Sequence, residues 1–151
     1  MVSYMIRKFE IKDTAAVMQV WIETIVEAHD FVNENYWHEA IENMRSNYIL
    51  NSESYVYTMD GGVVGFISII EESTIGAIFV EMPFQNKGIG VQLLNCVKEK
   101  HDKLFISVYE KNKNAQGFLT RQGFKFQYRQ FDQNTQETEL LFVWEKSENE
   151  L

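Results

Sequence analysis

A glycine-spaced turn, Gln85-Asn86-Lys87-Gly88-Ile89-Gly90-Val91, separates the apolar run Ala77-Ile78-Phe79-Val80 from a helical pattern with Leu93, Leu94, Val97 and His101 along one face. The run is short and apolar and is followed by Pro83, so it predicts a buried strand and its exit. A strand that turns through two glycines straight into a helix presents consecutive backbone N–H groups at the helix N-terminus. There the dipole favours an anion by about 0.3–1 kcal/mol. Gly88 and Gly90 lack the Cβ that would hold a phosphate away from the backbone. The turn therefore reads as a pyrophosphate cradle, with an ordinary tight turn as the simpler alternative.

Two familiar phosphate loops do not fit. An ATP-binding loop of the Gly-Lys-Ser/Thr type needs its lysine and hydroxyl after the last glycine, but here Lys87 precedes Gly88 and Val91 follows Gly90. The dinucleotide fingerprint needs three glycines early in a βαβ unit, whereas this turn has two and lies past mid-chain.

A second block, Asn112-Lys113-Asn114-Ala115-Gln116-Gly117-Phe118-Leu119-Thr120-Arg121-Gln122-Gly123-Phe124, follows the strand-like Leu104-Phe105-Ile106-Ser107-Val108. Together, Gln-x-x-Gly-x-Gly and Asn-x-x-Ala-x-x-Phe-x-x-x-x-Gly-Phe resemble the GNAT superfamily of N-acetyltransferases over nearly the whole chain. Trp21, Ala28-His29-Asp30-Phe31, Asn35-Tyr36-Trp37 and Tyr109-Glu110-Lys111-Asn112 resemble its short bacterial YiaC-like members. The resemblance implies acetyl-CoA as cosubstrate, no metal, and an amine-bearing acceptor, either a protein lysine or a small molecule. It also implies a sheet whose fourth and fifth strands splay apart around the pantetheine arm. Ile78, Phe79 and above all the Val80 main chain would pair with that arm, residues 85 to 91 would hold the pyrophosphate, and Asn112 would contact the cofactor. Asn112 also reads as a helix N-cap, and the two roles are compatible.

The chain departs from the family pattern where the chemistry lies. The family tyrosine that protonates the departing sulfur is replaced by Leu119, and two positions that often supply a glutamate base carry Thr74 and Ser107. Positioning amine and thioester together supplies about 7–11 kcal/mol, against roughly 10²–10⁴-fold from a general acid or base, so these losses slow a reaction more than they abolish it. Tyr109 lies two residues after Ser107 on the same predicted strand and serves as the substitute acid. His29 follows the first helix and titrates near neutrality, which suits a proton relay as well as a loop or cap histidine. Glu72, with Glu71 beside it, could attract the amine or act through water, or simply end a strand in solvent. Tyr36 and Trp37 read as acceptor-site walls or as core. The competing function is a non-catalytic acyl-CoA-binding module.

The 151 residues, 45% of them hydrophobic and 14% aromatic, fit one domain spanning 1–151, with a polar tail from about 145. No apolar run approaches the roughly 18 residues of a membrane span, and no signal peptide is evident, so the expected location is cytoplasmic. A net charge of −8 argues against nucleic acid and suits a cationic substrate. The single Cys96 reads as a packing residue. A homodimer is left open.

The predicted order is a strand over 4–9, a helix from Lys12 and a second over about 35–48, then a hairpin turning at Asp60-Gly61-Gly62. A strand over 74–81, a helix over 88–101, a strand over 104–109 and a helix over 112–121 follow. Strands near 124–131 and 138–145 close the chain. The expected class is α/β, a mixed, mostly antiparallel sheet flanked by helices.

Overall fold

The computed structural model describes residues 3–28, 31–32, 34–43 and 52–147. Seven strands, β1 (Tyr4–Lys8), β2 (Glu53–Met59), β3 (Gly62–Ile70), β4 (Thr74–Val80), β5 (Lys103–Tyr109), β6 (Lys125–Asp132) and β7 (Glu137–Glu145), form one sheet in the order β1-β2-β3-β4-β5-β7-β6. All neighbours are antiparallel except β4 and β5. The helices are α1 (Thr14–Ala28), α2 (Glu34–Asn43), α3 (Ile89–Lys98) and α4 (Lys113–Arg121). None of the described helices is long and apolar enough to cross a membrane.

Local chemistry accounts for most of these boundaries. Asp60 and Gly61 both take positive φ, 51° and 85°, giving the two-residue turn whose twist matches a β-hairpin. Asn112 caps α4, its side-chain oxygen accepting the Ala115 amide at 3.1 Å. At the start of α1, Arg7 donates to both oxygens of Asp13 at 2.8 and 2.9 Å, and the Glu10 amide donates to Asp13 Oδ2 at 2.9 Å. The hydrogen bonds from Arg7 hold the Asp13 carboxyl below the usual carboxylate range and tie β1 to α1.

Strand alternation sorts the apolar side chains to two faces. On one, Tyr55, Tyr57, Ile67, Leu104 and Ile106 pack against Leu93, Leu94 and Val97 of α3 and Leu119 of α4. On the other, Val56, Phe66 and Phe79 pack against Val17, Met18, Val20 and Trp21 of α1. His101 does not share the α3 face, because the helix stops at Lys98; its ring instead reaches Glu53 at 3.2 Å. Cys96 is half-buried in α3, where burial raises its thiol above the ordinary value, and it behaves as packing.

The one parallel junction creates the cleft. β4 and β5 are paired only at Thr74 and Phe105, with the Phe105 amide donating to Ser73 at 2.9 Å. Beyond that point the strands part, which is the splay the family resemblance implies. The expectation that Ala77-Ile78-Phe79-Val80 is a buried strand is corrected accordingly: Phe79 is buried, while Ala77, Ile78 and Val80 remain half-exposed beside the opening.

Candidate active site

The parting of β4 and β5 opens a cavity of about 500 Å³ whose walls come from both faces of the sheet. Thr74, Ala77 and Ile78 of β4 form one side, and Ser107, Val108 and Tyr109 of β5 the other. Phe118 and Leu119 of α4 and Asn112 close one flank; Trp21 of α1 and Tyr36 and Asn43 of α2 close another. Asp132 at the end of β6 and Glu139 of β7 complete the lining.

The β4 backbone is oriented by its pairing with β3. The Glu81 amide donates to the Val64 carbonyl at 2.8 Å, so the main-chain groups of Glu81 face β3. Alternation then turns those of Val80 and Ile78 toward β5, where strand pairing has ended. An extended, amide-bearing chain could pair with them as an additional strand. The Gln85 side chain donates to the Val80 carbonyl at 2.9 Å from this same side. Phe79 is turned the other way: its ring packs on Phe66 at 5.2 Å between centroids, and its main chain faces β3. Direct ligand contact from Phe79, expected from the sequence, does not fit this orientation.

The glycine turn lies on the surface at the mouth of this arrangement. Gly88 is the N-cap of α3 with φ 82°, a left-handed conformation that side chains other than Asn and Asp rarely take. No side chain caps the helix, and its first internal bond runs from the Gln92 amide to the Gly88 carbonyl at 3.0 Å. The amides of Ile89, Gly90 and Val91 therefore have no partner within the helix and point outward at its positive end. A Cβ on Gly90 would meet only the Phe118 ring at 3.4 Å, an ordinary contact, so packing alone does not demand glycine there. Phe118 joins the turn to the cavity. Asn86 takes φ 63°, and Gln85, Asn86 and Lys87 are exposed beside the amides.

The sequence candidates for proton transfer separate. Tyr109 lies in the cavity, its ring edge-on to Phe31 at 5.5 Å between centroids. Burial first, and then the neighbouring Tyr36, hold its hydroxyl above the ordinary phenol range, while the Thr135 hydroxyl nearby acts in the opposite sense. The group stays protonated at neutral pH, as an acid must. Glu72 is not brought to the cavity: with Glu71 it forms the exposed β3–β4 turn, both at positive φ, and the turn carries the side chains into solvent. His29 lies outside the described residues, as does the Trp37 side chain. Tyr36 and Trp21 do line the cavity, and Leu119, 2% exposed, offers no proton.

Two carboxyl groups escaped the sequence reading. Glu139 is paired directly across from Tyr109 on β7 and β5, and Asp132 reaches it from β6. Burial, followed by the hydrogen bond and charge of Asp132, pushes Glu139 up to about 7. Its only sequence signal is an acid inside a strand, Glu137-Thr138-Glu139-Leu140-Leu141, that reads equally well as a solvent-facing alternation. Among the described residues, no group of three or more His, Cys, Asp or Glu is arranged to hold a metal ion.

A strand-to-helix glycine turn beside a parted parallel strand pair defines an acyl-CoA transferase architecture, and residues 19–143 match the family model for the acetyltransferase (GNAT) domain. The chain belongs to that family and is an acetyl-CoA-dependent acetyltransferase. It is 32% identical over 140 residues to the peptidyl-lysine N-acetyltransferase YiaC of Escherichia coli K12, covering 93% of this chain and 96% of the relative. The solution structure of apo YjaB from Escherichia coli superposes with a TM-score of 0.82 at 22% identity, covering 96% of this chain and 99% of that one. The PaiA N-acetyltransferase of Thermoplasma acidophilum, solved with coenzyme A, gives 0.78 at 21% identity, covering 95% and 99%.

Proposed function

We propose that this protein transfers the acetyl group of acetyl-CoA to the side-chain amine of a lysine in a protein or peptide. The observation that carries this reading is the cavity itself. One side carries the β4 main chain at Ala77 and Ile78, and the facing walls bring two tyrosines and two carboxyl groups among apolar side chains. That lining suits an alkyl chain ending in a cation. The identity with a peptidyl-lysine acetyltransferase supports the same acceptor.

In this reading Ile78 and Val80 pair with the pantetheine amides, and the Ile89, Gly90 and Val91 amides take the pyrophosphate, with Gln85, Asn86 and Lys87 at its edge. Asn112 caps α4 and borders the arm. On the same reading the thioester lies between Ile78 and Tyr109, and Tyr109 donates to the departing sulfur. The net charge of −8 supports an amine acceptor over nucleic acid, and the lone cysteine supports a cytoplasmic setting.

Incubation with acetyl-CoA and a panel of lysine peptides and small amines tests the acceptor. Free thiol should appear in step with a peptide gaining the mass of one acetyl group, and a peptide whose lysine amine is already blocked should gain nothing. Turnover confined to small amines would contradict the assignment.

A further inference from the structure

We propose that Glu139, paired with Asp132, is the general base that takes the proton of the incoming ammonium. The inference rests on the lysine-acetylation reading above. A lysine amine has a pKa near 10.4, so only about one molecule in a thousand is neutral around pH 7.4, and something must accept its proton. The positions that often supply a glutamate in this family hold Thr74 and Ser107, and both line the cavity without a group able to do so at neutral pH.

The sheet register brings the replacement to the same place. Tyr109 on β5 opposes Glu139 on β7, so the two side chains stand on one face of the sheet as cross-strand neighbours. Gln130 on β6 also opposes Glu139, and Asp132, two residues on, returns to that face as its diagonal neighbour. All three groups line the cavity. Asp132 is fixed at the turn into β7 by the Asn134 amide, which donates to its Oδ1 at 2.9 Å. Tyr36 of α2 approaches from the helical side. Nearby cations are engaged with other acids: Lys111 lies 3.0 Å from Glu137, and Arg129 lies 3.0 Å from Glu110. The acid pair thus faces the cavity where a substrate cation would arrive.

The step balances. Glu139 takes one proton from the ammonium, and the freed lone pair attacks the thioester carbonyl carbon. The C–N bond forms, the C–S bond breaks, and the sulfur leaves with the electron pair and receives the Tyr109 proton. The second proton lost by nitrogen restores Tyr109, and Glu139 resets by releasing its proton to water. With Glu139 titrating near 7, about half of it is ready to accept a proton at neutral pH.

The same shift has a definite sign for stability. Glu139 is raised above its ordinary value, so its ionisation in the folded protein is disfavoured. Its cost is absent below the ordinary carboxylate range and grows as pH rises toward about 7. Glu139→Gln should therefore melt higher than the wild-type protein at pH 8.

The test is the pH profile of kcat/KM for an unmodified lysine peptide, at saturating acetyl-CoA, in wild type, Glu139→Gln and Asp132→Asn. The wild-type rate should climb through an inflection near 7. Glu139→Gln should lose roughly 10²–10⁴-fold and the inflection with it, with the KM for acetyl-CoA unchanged. Asp132→Asn should move the inflection to lower pH, since it removes the charge that opposes ionisation. A wild-type rate and profile in Glu139→Gln would overturn the proposal and leave lysine acetylation standing. So would a rate loss accompanied by a lower melting temperature at pH 8, which marks a structural role. If wild-type protein acetylates no lysine peptide, the acceptor reading falls and this role with it.

Discussion

In a Gly88→Glu variant, coenzyme A should no longer raise the melting temperature at concentrations that protect the wild-type protein. A ligand at a hundredfold excess over its Kd stabilises the native state by about 2.7 kcal/mol, so the wild-type shift is easily measured. The substitution acts on the stability of the turn and, separately, on the bound anion. Gly88 sits at φ 82°, where a glutamate costs roughly 1–2 kcal/mol, and its carboxylate occupies the outward-facing end of α3. A like charge about 4 Å from a phosphate opposes binding by roughly 4 kcal/mol at a surface dielectric, which is more than a hundredfold in Kd. Gly88→Asn separates the two effects, because asparagine tolerates the left-handed conformation and brings no charge. It should keep coenzyme A affinity within about tenfold. Wild-type affinity in folded Gly88→Glu would remove the turn from the binding site.

Tyr109→Phe should lower kcat by about 10²-fold, the lower end of the range for a general acid, and leave the KM for acetyl-CoA near its wild-type value. The lower end is expected because a thiol with an ordinary pKa near 8.5 also departs as thiolate without help. Phenylalanine keeps the edge contact with Phe31 and removes only the hydroxyl, so the fold should persist. Initial rates at saturating peptide, with circular dichroism as the control for folding, decide it. An unaltered kcat would show that the hydroxyl donates nothing to the leaving sulfur.

Features carried by local chemistry were legible in the chain. The hairpin at Asp60-Gly61, the Asn112 cap and the strand–glycine–helix order each need only a few neighbouring residues to declare themselves, and the structure places all three as expected. Long-range pairing was not legible. That β4 and β5 touch only at Thr74 and Phe105 depends on residues 31 apart in sequence, and the splay was inferred from family resemblance alone. The candidate site divides along the same line. That Tyr109 faces the cleft follows from counting along one strand, and it does line the cavity. Glu139 and Asp132 were missed because their meeting depends on the register of β5, β7 and β6, and an acid alternating with threonine reads as a solvent face. Glu72 failed for a local reason the sequence hides: two consecutive non-glycine residues at positive φ turn that end of the hairpin outward.

The central claim is that the arm of acetyl-CoA lies between the parted ends of β4 and β5, with its pyrophosphate on the α3 N-terminus. Backbone amide NMR during a coenzyme A titration measures it most directly. The account predicts large shifts for the amides of Ile78, Val80, Ile89, Gly90 and Val91, and little change at Val56 in the far part of the sheet. Saturating binding that leaves those five amides unmoved would contradict it.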